Sequence, residues 1–287
     1  MKKIMLTSLA VFLIGIISLD AESFRIEEKE EIRKTLKFQN PSKPKELFVD
    51  NIWGSIEVVG YRGKEVKLLV QKTIKGRNKE KIQKAKEEVE LEITEEGNTI
   101  DIYVDGPFRD CNKRRRWRNW RNPGYKVHYD FELKVPHKTD LYLKTVNSGD
   151  IKVNNVEGEF EVKNVNGRIK MNEVAGAGEA HTVNGNVKVI FSRNPESDCS
   201  FRTVNGDVEI TFRPNLSADL LLKTFNGNAY TDFPVIYMPV KKSVSKRHKG
   251  KYVYKSNRFF GVRTGKGGPE IKFDTLNGDI LIAKKNE

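Results

Sequence analysis

From Ile151 the apolar positions recur in four consecutive blocks of nine residues, IKVNNVEGE, FEVKNVNGR, IKMNEVAGA and GEAHTVNGN, ending at Asn186. Each block reads apolar-x-apolar-x-x-apolar-x-Gly-x, with Gly178 and Ala180 as its weakest members. The first column is Ile151, Phe160, Ile169 and Gly178, the second Val153, Val162, Met171 and Ala180, and the third Val156, Val165, Val174 and Val183. Apolar residues two apart follow the period of a strand, so all three columns are expected to face inward. The glycines 158, 167, 176 and 185 are expected to supply positive φ at tight corners.

A second motif lies over the first. Thr-Val-Asn-Ser-Gly-Asp-Ile (145–151), Asn-Val-Asn-Gly-Arg-Ile (164–169), Thr-Val-Asn-Gly-Asn-Val (182–187), Thr-Val-Asn-Gly-Asp-Val (203–208), Thr-Phe-Asn-Gly-Asn-Ala (224–229) and Thr-Leu-Asn-Gly-Asp-Ile (275–280) are one element repeated. Their glycines are 18, 18, 21, 21 and 51 residues apart, the last interval holding an insertion. Serial hairpins would also place Asn-Gly between apolar strands, but they give no reason for every corner to repeat the same columns in register. A coil of 18–21 residues per turn does, because like then stacks on like about 4.8 Å apart. The predicted fold is therefore all-β, a parallel β-solenoid (β-helix) with 18–21 residues per rung. Asn166-Gly167, Asn184-Gly185, Asn205-Gly206, Asn226-Gly227 and Asn277-Gly278 are its structural corners, the Asn being a residue that tolerates the left-handed region.

Ahead of the repeats, strand-like runs cover 35–38, 46–59 and 65–74, and 49–56 is a degenerate copy of the corner. Asn78 caps one short helix with Ile82, Ala85 and Val89 on one face. Alternation resumes at Val89, Leu91 and Ile93, at Ile100, Ile102 and Val104, and at Tyr129, Phe131, Leu133 and Val135. Lys2, Lys3 and the apolar run 4–19, ending in Leu19-Asp20-Ala21, read as a secretory signal peptide over residues 1–21, an uncleaved anchor being the alternative. The expected organisation is a leader (1–21), an N-terminal β region with one helix (22–136) and solenoid repeats (137–287). No other membrane-spanning segment is expected, and the destination is periplasmic, cell-surface or extracellular.

The order of a leader, Gly54-Ser55-Ile56-Glu57-Val58, a helix with a hairpin, Tyr129 to Pro136, serial Thr-Val-Asn-Gly and a closing Thr275-Leu276-Asn277-Gly278-Asp279-Ile280 resembles the bacterial exported β-strand-repeat proteins regarded as candidate adhesins. The likeness covers nearly the whole chain after the leader. It implies a β-solenoid, an envelope or surface location and no assigned enzymatic activity, and it brings no binding residues.

Composition changes the picture at one point, the charge. The 287 residues carry 52 Lys and Arg against 39 Asp and Glu, a net +13, or +12 once Lys2, Lys3 and Asp20 leave with the leader. Between Cys111 and Tyr129 there is no acidic residue and a charge of +7, and between Phe233 and Pro269 again none and +10. Subtracting these 17 charges leaves the rest at −5, so the excess belongs to two insertions that the resembled family lacks.

In the first insertion, 111–128, Arg114, Arg115, Arg116, Arg118 and Arg121 are interleaved with Trp117 and Trp120. Guanidinium pairs bidentately with phosphate and indole prefers the headgroup boundary, so these seven residues form the candidate site for an anionic lipid, lipopolysaccharide or wall polymer. Nucleic acid would feel the same charge, but no recognition motif accompanies it. The plain alternative is two solvated loops kept basic for solubility.

His128, His137, His181 and His248 have no metal spacing, and no cofactor is expected. Cys111 and Cys199 are 88 residues apart. In an oxidising compartment they either close a loop worth about 4 kcal/mol or remain two surface thiols. Asp207 and Asp279 beside Arg168 leave a polysaccharide-active lyase or hydrolase as the alternative to a non-catalytic envelope module, and a purely structural envelope-stress protein is the third reading. Oligomeric state is not legible.

Overall fold

The computed structural model describes residues 24–40, 42–109, 123–238, 246–248, 251–253 and 259–285. Residues 1–21, read above as a leader, and the Arg/Trp residues 114–121 lie outside the described residues.

Strands β1 (Ile26–Lys37), β2 (Glu46–Asp50), β3 (Ile56–Tyr61) and β4 (Glu65–Gly76) precede helix α1 (Lys79–Glu88), which β5 (Glu90–Glu96), β6 (Thr99–Asp105) and β7 (Tyr125–Pro136) follow. Short strands then come in pairs: β8 (Asp140–Lys144) with β9 (Ile151–Asn154), β10 (Phe160–Lys163) with β11 (Ile169–Val174), and β12 (Gly178–His181) with β13 (Val187–Phe191). Next come β14 (Cys199–Arg202) with β15 (Val208–Phe212), and β16 (Ala218–Lys223) with β17 (Ala229–Thr231). Within the second insertion lie β18 (Val235–Met238), β19 (Lys246–His248), β20 (Lys251–Val253) and β21 (Phe260–Thr264), and β22 (Glu270–Asp274) with β23 (Ile280–Lys284) closes the chain.

The pairs build two facing sheets, one ordered β1-β4-β7-β3-β9-β11-β13-β15-β23-β17 and the other β18-β21-β16-β22-β14-β12-β10-β8-β2-β6-β5. A rung is one strand from each sheet joined by a corner. The rungs stack as β6/β7, β2/β3, β8/β9, β10/β11, β12/β13, β14/β15, β22/β23 and β16/β17, parallel to their neighbours throughout. The repeat spacing sets the register: Ile169 lies opposite Ile151, 18 residues away, and Val187 opposite Val208, 21 residues away.

Two features correct the expected uniform parallel coil. Both sheets are mixed, with β4 antiparallel on β7 and β1 on β4, β5 antiparallel on β6, and β21 antiparallel on β16 and β18 on β21, so the stack is solenoid-like without closing into a regular coil. Rung order also departs from chain order: β2/β3 sits between β6/β7 and β8/β9, and the last-made rung β22/β23 sits between β14/β15 and β16/β17. The antiparallel arms serve the ends, where a bare parallel rung would leave its ladder groups and the core exposed. At the first end α1 completes the cover with Ile82 and Ala85 buried, its start fixed by Asn78 Oδ1 accepting from the Lys81 N–H at 2.9 Å.

Like does stack on like inside. Phe131, Ile56, Ile151, Ile169, Val187, Val208 and Ile280 form one buried row, and Ile102, Val49, Leu143, Val162, Ala180, Phe201 and Phe273 form another. Phe191 stacks on Phe212 with ring centroids 5.1 Å apart and meets Phe201 of the facing sheet at 6.2 Å. Each such side chain contributes about 1.5–3 kcal/mol on burial. The third column divides: Val156 and Val174 are buried, whereas Val165 is half-buried and Val183 exposed. At those corners the residue one earlier, Asn164 or Thr182, takes the inward place. Cys199 is a free, buried thiol rather than a surface one, its pKa pushed up to about 11 by burial; Cys111 lies outside the described residues.

Candidate functional site

The edge that carries the Asn-Gly corners is where the repeated polar residues converge, and most of their bonding capacity is spent within it. Each Asn side chain donates to the Asn below: Asn166 to Asn147 at 2.9 Å, Asn184 to Asn166 at 2.8 Å, Asn205 to Asn184 at 2.8 Å, Asn277 to Asn205 at 2.7 Å and Asn226 to Asn277 at 2.7 Å. One step inward a second ladder runs parallel to it, buried except at Thr224. The hydroxyls of Thr145, Thr182, Thr203, Thr275 and Thr224 donate at 2.8–3.0 Å to the carbonyls of Gly54, Gly167, Gly185, Gly206 and Gly278. Asn164 does the same to Gly149, and Asn51, in the degenerate copy, reaches both Gly54 and Tyr129. This threonine ladder was missed in the sequence, although the alternation of Leu141, Leu143 and Thr145 announces it.

At the corners the expected positive φ falls on some of the glycines, Gly176, Gly185, Gly206 and Gly278, and not on the asparagines. None of Asn147, Asn166, Asn184, Asn205, Asn226 or Asn277 has positive φ, and Gly167 and Gly227 lie outside the left-handed region. What the glycines permit is close approach. A Cβ on Gly167 would stand 2.1 Å from the Gly149 carbonyl oxygen, one on Gly206 2.2 Å from that of Gly185, and one on Gly227 2.0 Å from that of Gly278. Thr203→Val should cost about 1–2 kcal/mol, since it leaves a carbonyl without its buried donor, and Asn205→Ala on the exposed ladder less than 1. Urea denaturation of the two variants measures the order, which would reverse if the outer ladder were the stronger.

The aspartates that follow corner glycines are spent in the same way. Asp150 accepts from the Arg168 N–H at 2.8 Å, Asp207 from the Asp279 N–H at 2.9 Å and Asp279 from the Asn228 N–H at 2.8 Å. Asp207 and Asp279 thus tie rung to rung. Among the described residues no three His, Cys, Asp or Glu are placed to hold a metal ion. His181 rests on Ser200 at 3.1 Å, and burial lowers its pKa, as it does that of His128.

Both basic insertions are rooted on this edge. The first follows β6, and the Lys/Arg-rich part of the second follows β18; each of these strands runs toward the Asn-Gly corners, as β2 does beside β6 and as β16 does across β21 from β18. Arg109 fixes the first root: it donates to the Asp50 carboxylate and carbonyl, each at 2.9 Å, and to Val104 at 3.0 Å, while its guanidinium covers the Tyr103 ring at 4.3 Å. Trp53 meets Phe108 edge-on beside it, ring centroids 5.0 Å apart. The two roots stand at opposite ends of the stack.

On the opposite edge, short turns at 155–159 and 175–177 lie between longer ones and leave a groove of about 480 Å³. Gly158, Ala175, Gly176 and Ala177 line it between charged groups of both signs, the carboxylates of Asp140, Glu157, Glu159 and Glu196 and the cations of Lys45, Lys138 and Arg193. Asp140 also accepts from the Glu159 N–H at 2.8 Å.

Residues 130–251 match the family described as Toastrack DUF4097. The Toastrack match begins within β7 and takes in the strands from β8 to β19, leaving out β22/β23 and the rung β2/β3 with the strands around it at the first end. No curated protein matches the chain. Among solved structures it is similar to a candidate cell adhesion protein from Clostridium sporogenes ATCC 15579, at 11% identity over 90% of this chain and 100% of that one, TM-score 0.40. It is also similar to a candidate adhesin from Bacteroides fragilis NCTC 9343 (13% identity, 89% and 97% covered, TM-score 0.38). A candidate lipid binding protein from Parabacteroides distasonis ATCC 8503 aligns at 13% identity over 91% and 97%, TM-score 0.29. Likeness at this level assigns no ligand and no residue.

Proposed function

We propose that the protein is a non-catalytic, exported envelope module, an adhesin-like β-solenoid whose Asn-Gly edge carries two basic segments to an anionic partner: lipid headgroups, lipopolysaccharide or a wall polymer. The observation that supports this reading is that β6 and β18, the strands leading into the two acid-free segments, both run toward one edge, at opposite ends of a surface whose own polar groups are already bonded to each other. Arg114, Arg115, Arg116, Arg118 and Arg121, with Trp117 and Trp120, are the proposed contacts of the first segment. No cofactor and no sequence-specific nucleic acid enter this reading.

The test is binding of the chain from Glu22 onward, which retains every described strand, to heparin and to lipopolysaccharide across a salt series. Binding should weaken steeply between about 50 and 500 mM salt as the Debye length shrinks. Changing the five arginines together to Gln should lower affinity roughly tenfold or more. Unchanged binding by that variant removes the first segment from the reading.

A second reading has one observation in its favour. The groove with Asp140, Glu157, Glu159 and Glu196 on its walls would suit a polysaccharide, bound or cleaved. Turnover of envelope glycans that is abolished by Glu157→Gln with Glu159→Gln would establish it.

A further inference from the structure

The second end of the stack exposes large apolar side chains that the fold does not use. Ile236 and Tyr237 on the edge strand β18 are 70% and 74% exposed, Phe225 in the last corner 77%, and Phe260 at the start of β21 46%. Tyr237 lies opposite Val262 and Ile236 opposite Arg263, so the two point to opposite faces and make β18 a ridge that is apolar on both sides. The Tyr237 and Phe260 rings meet edge-on at 5.1 Å, and Phe260 pairs with Leu222, three residues before Phe225. All four side chains therefore gather near the last corner of the Asn-Gly edge.

Exposed apolar residues scattered singly need no explanation, but a cluster of this size marks a contact surface. Two observations say what it contacts. The chain between Met238 and Phe259 contains eight Lys and Arg and no Asp or Glu, and it leaves and rejoins the fold beside Tyr237 and Phe260. Pro234 and Pro239 bracket the four residues of β18, and proline withholds the N–H that an added strand would need, so pairing with a second copy is opposed. Cationic charge rooted at an apolar, aromatic ridge is the composition that seats a surface at the headgroup boundary of an anionic membrane.

We infer that this end of the stack docks on an anionic lipid bilayer, with Ile236, Tyr237 and Phe260 entering the headgroup boundary. The inference rests on the reading of an anionic partner given above. It narrows that partner to a membrane and adds a contact that a soluble polyanion would not require.

The chain from Glu22 onward is tested in three forms: parent, a triple variant (Ile236→Ser, Tyr237→Ser and Phe260→Ser), and Tyr237→Trp. The probes are phosphatidylcholine vesicles, vesicles with about a third phosphatidylglycerol, and heparin. The parent should partition onto the anionic vesicles at least roughly tenfold more strongly than onto the neutral ones. The triple variant should lose roughly 10- to 100-fold of that partition and keep its retention on heparin. The Tyr237→Trp variant should show, relative to the parent, a blue-shifted emission that brominated lipid quenches. Because all three side chains are exposed, each variant should melt with the parent; if the triple variant melts lower, Tyr237→Trp alone decides. Vesicle binding undiminished in the triple variant, or no emission shift in Tyr237→Trp, overturns the inference. Retention on heparin without vesicle binding overturns it and leaves the anionic-partner reading standing, whereas failure to bind either overturns both.

Discussion

A chain carrying Gly167→Ala should lose about 3 kcal/mol or more of stability and melt roughly 10 °C lower, a large fraction of the total for one added methyl group. The new Cβ would stand 2.1 Å from the Gly149 carbonyl oxygen and 3.0 Å from its carbon, and 2.6 Å from the Asn164 amide nitrogen. Two of those contacts are with backbone held in the parallel ladder, where Gly167 N–H donates to Asn184 and the rungs on both sides fix the spacing. Relief would mean separating rungs, which weakens the glycine, threonine and asparagine bonds at that level together. Gly97→Ala is the control. Its φ of +62° is left-handed, but nothing lies within 4 Å of the new Cβ, so it should cost only about 1–2 kcal/mol. Thermal and urea melts of the two variants separate close approach from backbone conformation, and equal losses would refute the packing account.

Ending the chain after Gly268 should abolish cooperative folding. The truncation deletes β22 and β23 and with them Ile271, Phe273, Ile280 and Ile282, all fully buried. At about 1.5–3 kcal/mol each these four account for about 6–12 kcal/mol, comparable with the 5–15 kcal/mol that holds a whole domain together. In a sequential coil the same cut would remove only an end rung. Here it opens a slot, because β14 and β15 lose one neighbour and β16 and β17 lose the strands that join them to the stack. Circular dichroism, size exclusion and a melt of the truncated chain test this, and a peptide of residues 269–287 supplied in trans should restore part of the signal. A monomeric truncated chain that melts cooperatively within a few degrees of the parent would show that the inserted rung is dispensable.

The repeat was legible because stacking makes the same demand at every level. The interval between Gly167 and Gly185 and that between Gly185 and Gly206 are the register offsets of β11 on β13 and of β13 on β15. What the spacing could not show was order. A rung with Ile280 in its first column fits the pattern equally well between Val208 and Ala229, where it lies, or beyond Ala229, where chain order would put it. The inward place of Thr145, Thr182 and Thr203 was obscured by the valine after each, which outranks threonine in hydrophobicity but sits out of phase with the strand before it. The need for glycine was visible and its cause was not, since a 2 Å conflict between rungs exists only once they are stacked. For the candidate site, charge alone located the two basic segments; their common edge required the strand directions of β6 and β18. The exposed ridge escaped notice because Val235, Ile236 and Tyr237 have the composition of a core strand, and only the end of the sheet leaves Ile236 and Tyr237 in solvent.

The inserted position of β22/β23 sets a schedule on assembly. A chain made from its N-terminus onward completes β14/β15 and then β16/β17 before the strands that belong between them exist. Until residues 270–284 arrive, Val208, Ile210 and Phe201 present an unfinished edge, the kind of surface on which nascent chains stick to one another. Residues 270–284 therefore act as a keystone: the second end of the stack stays unlocked until they arrive and becomes rigid only then.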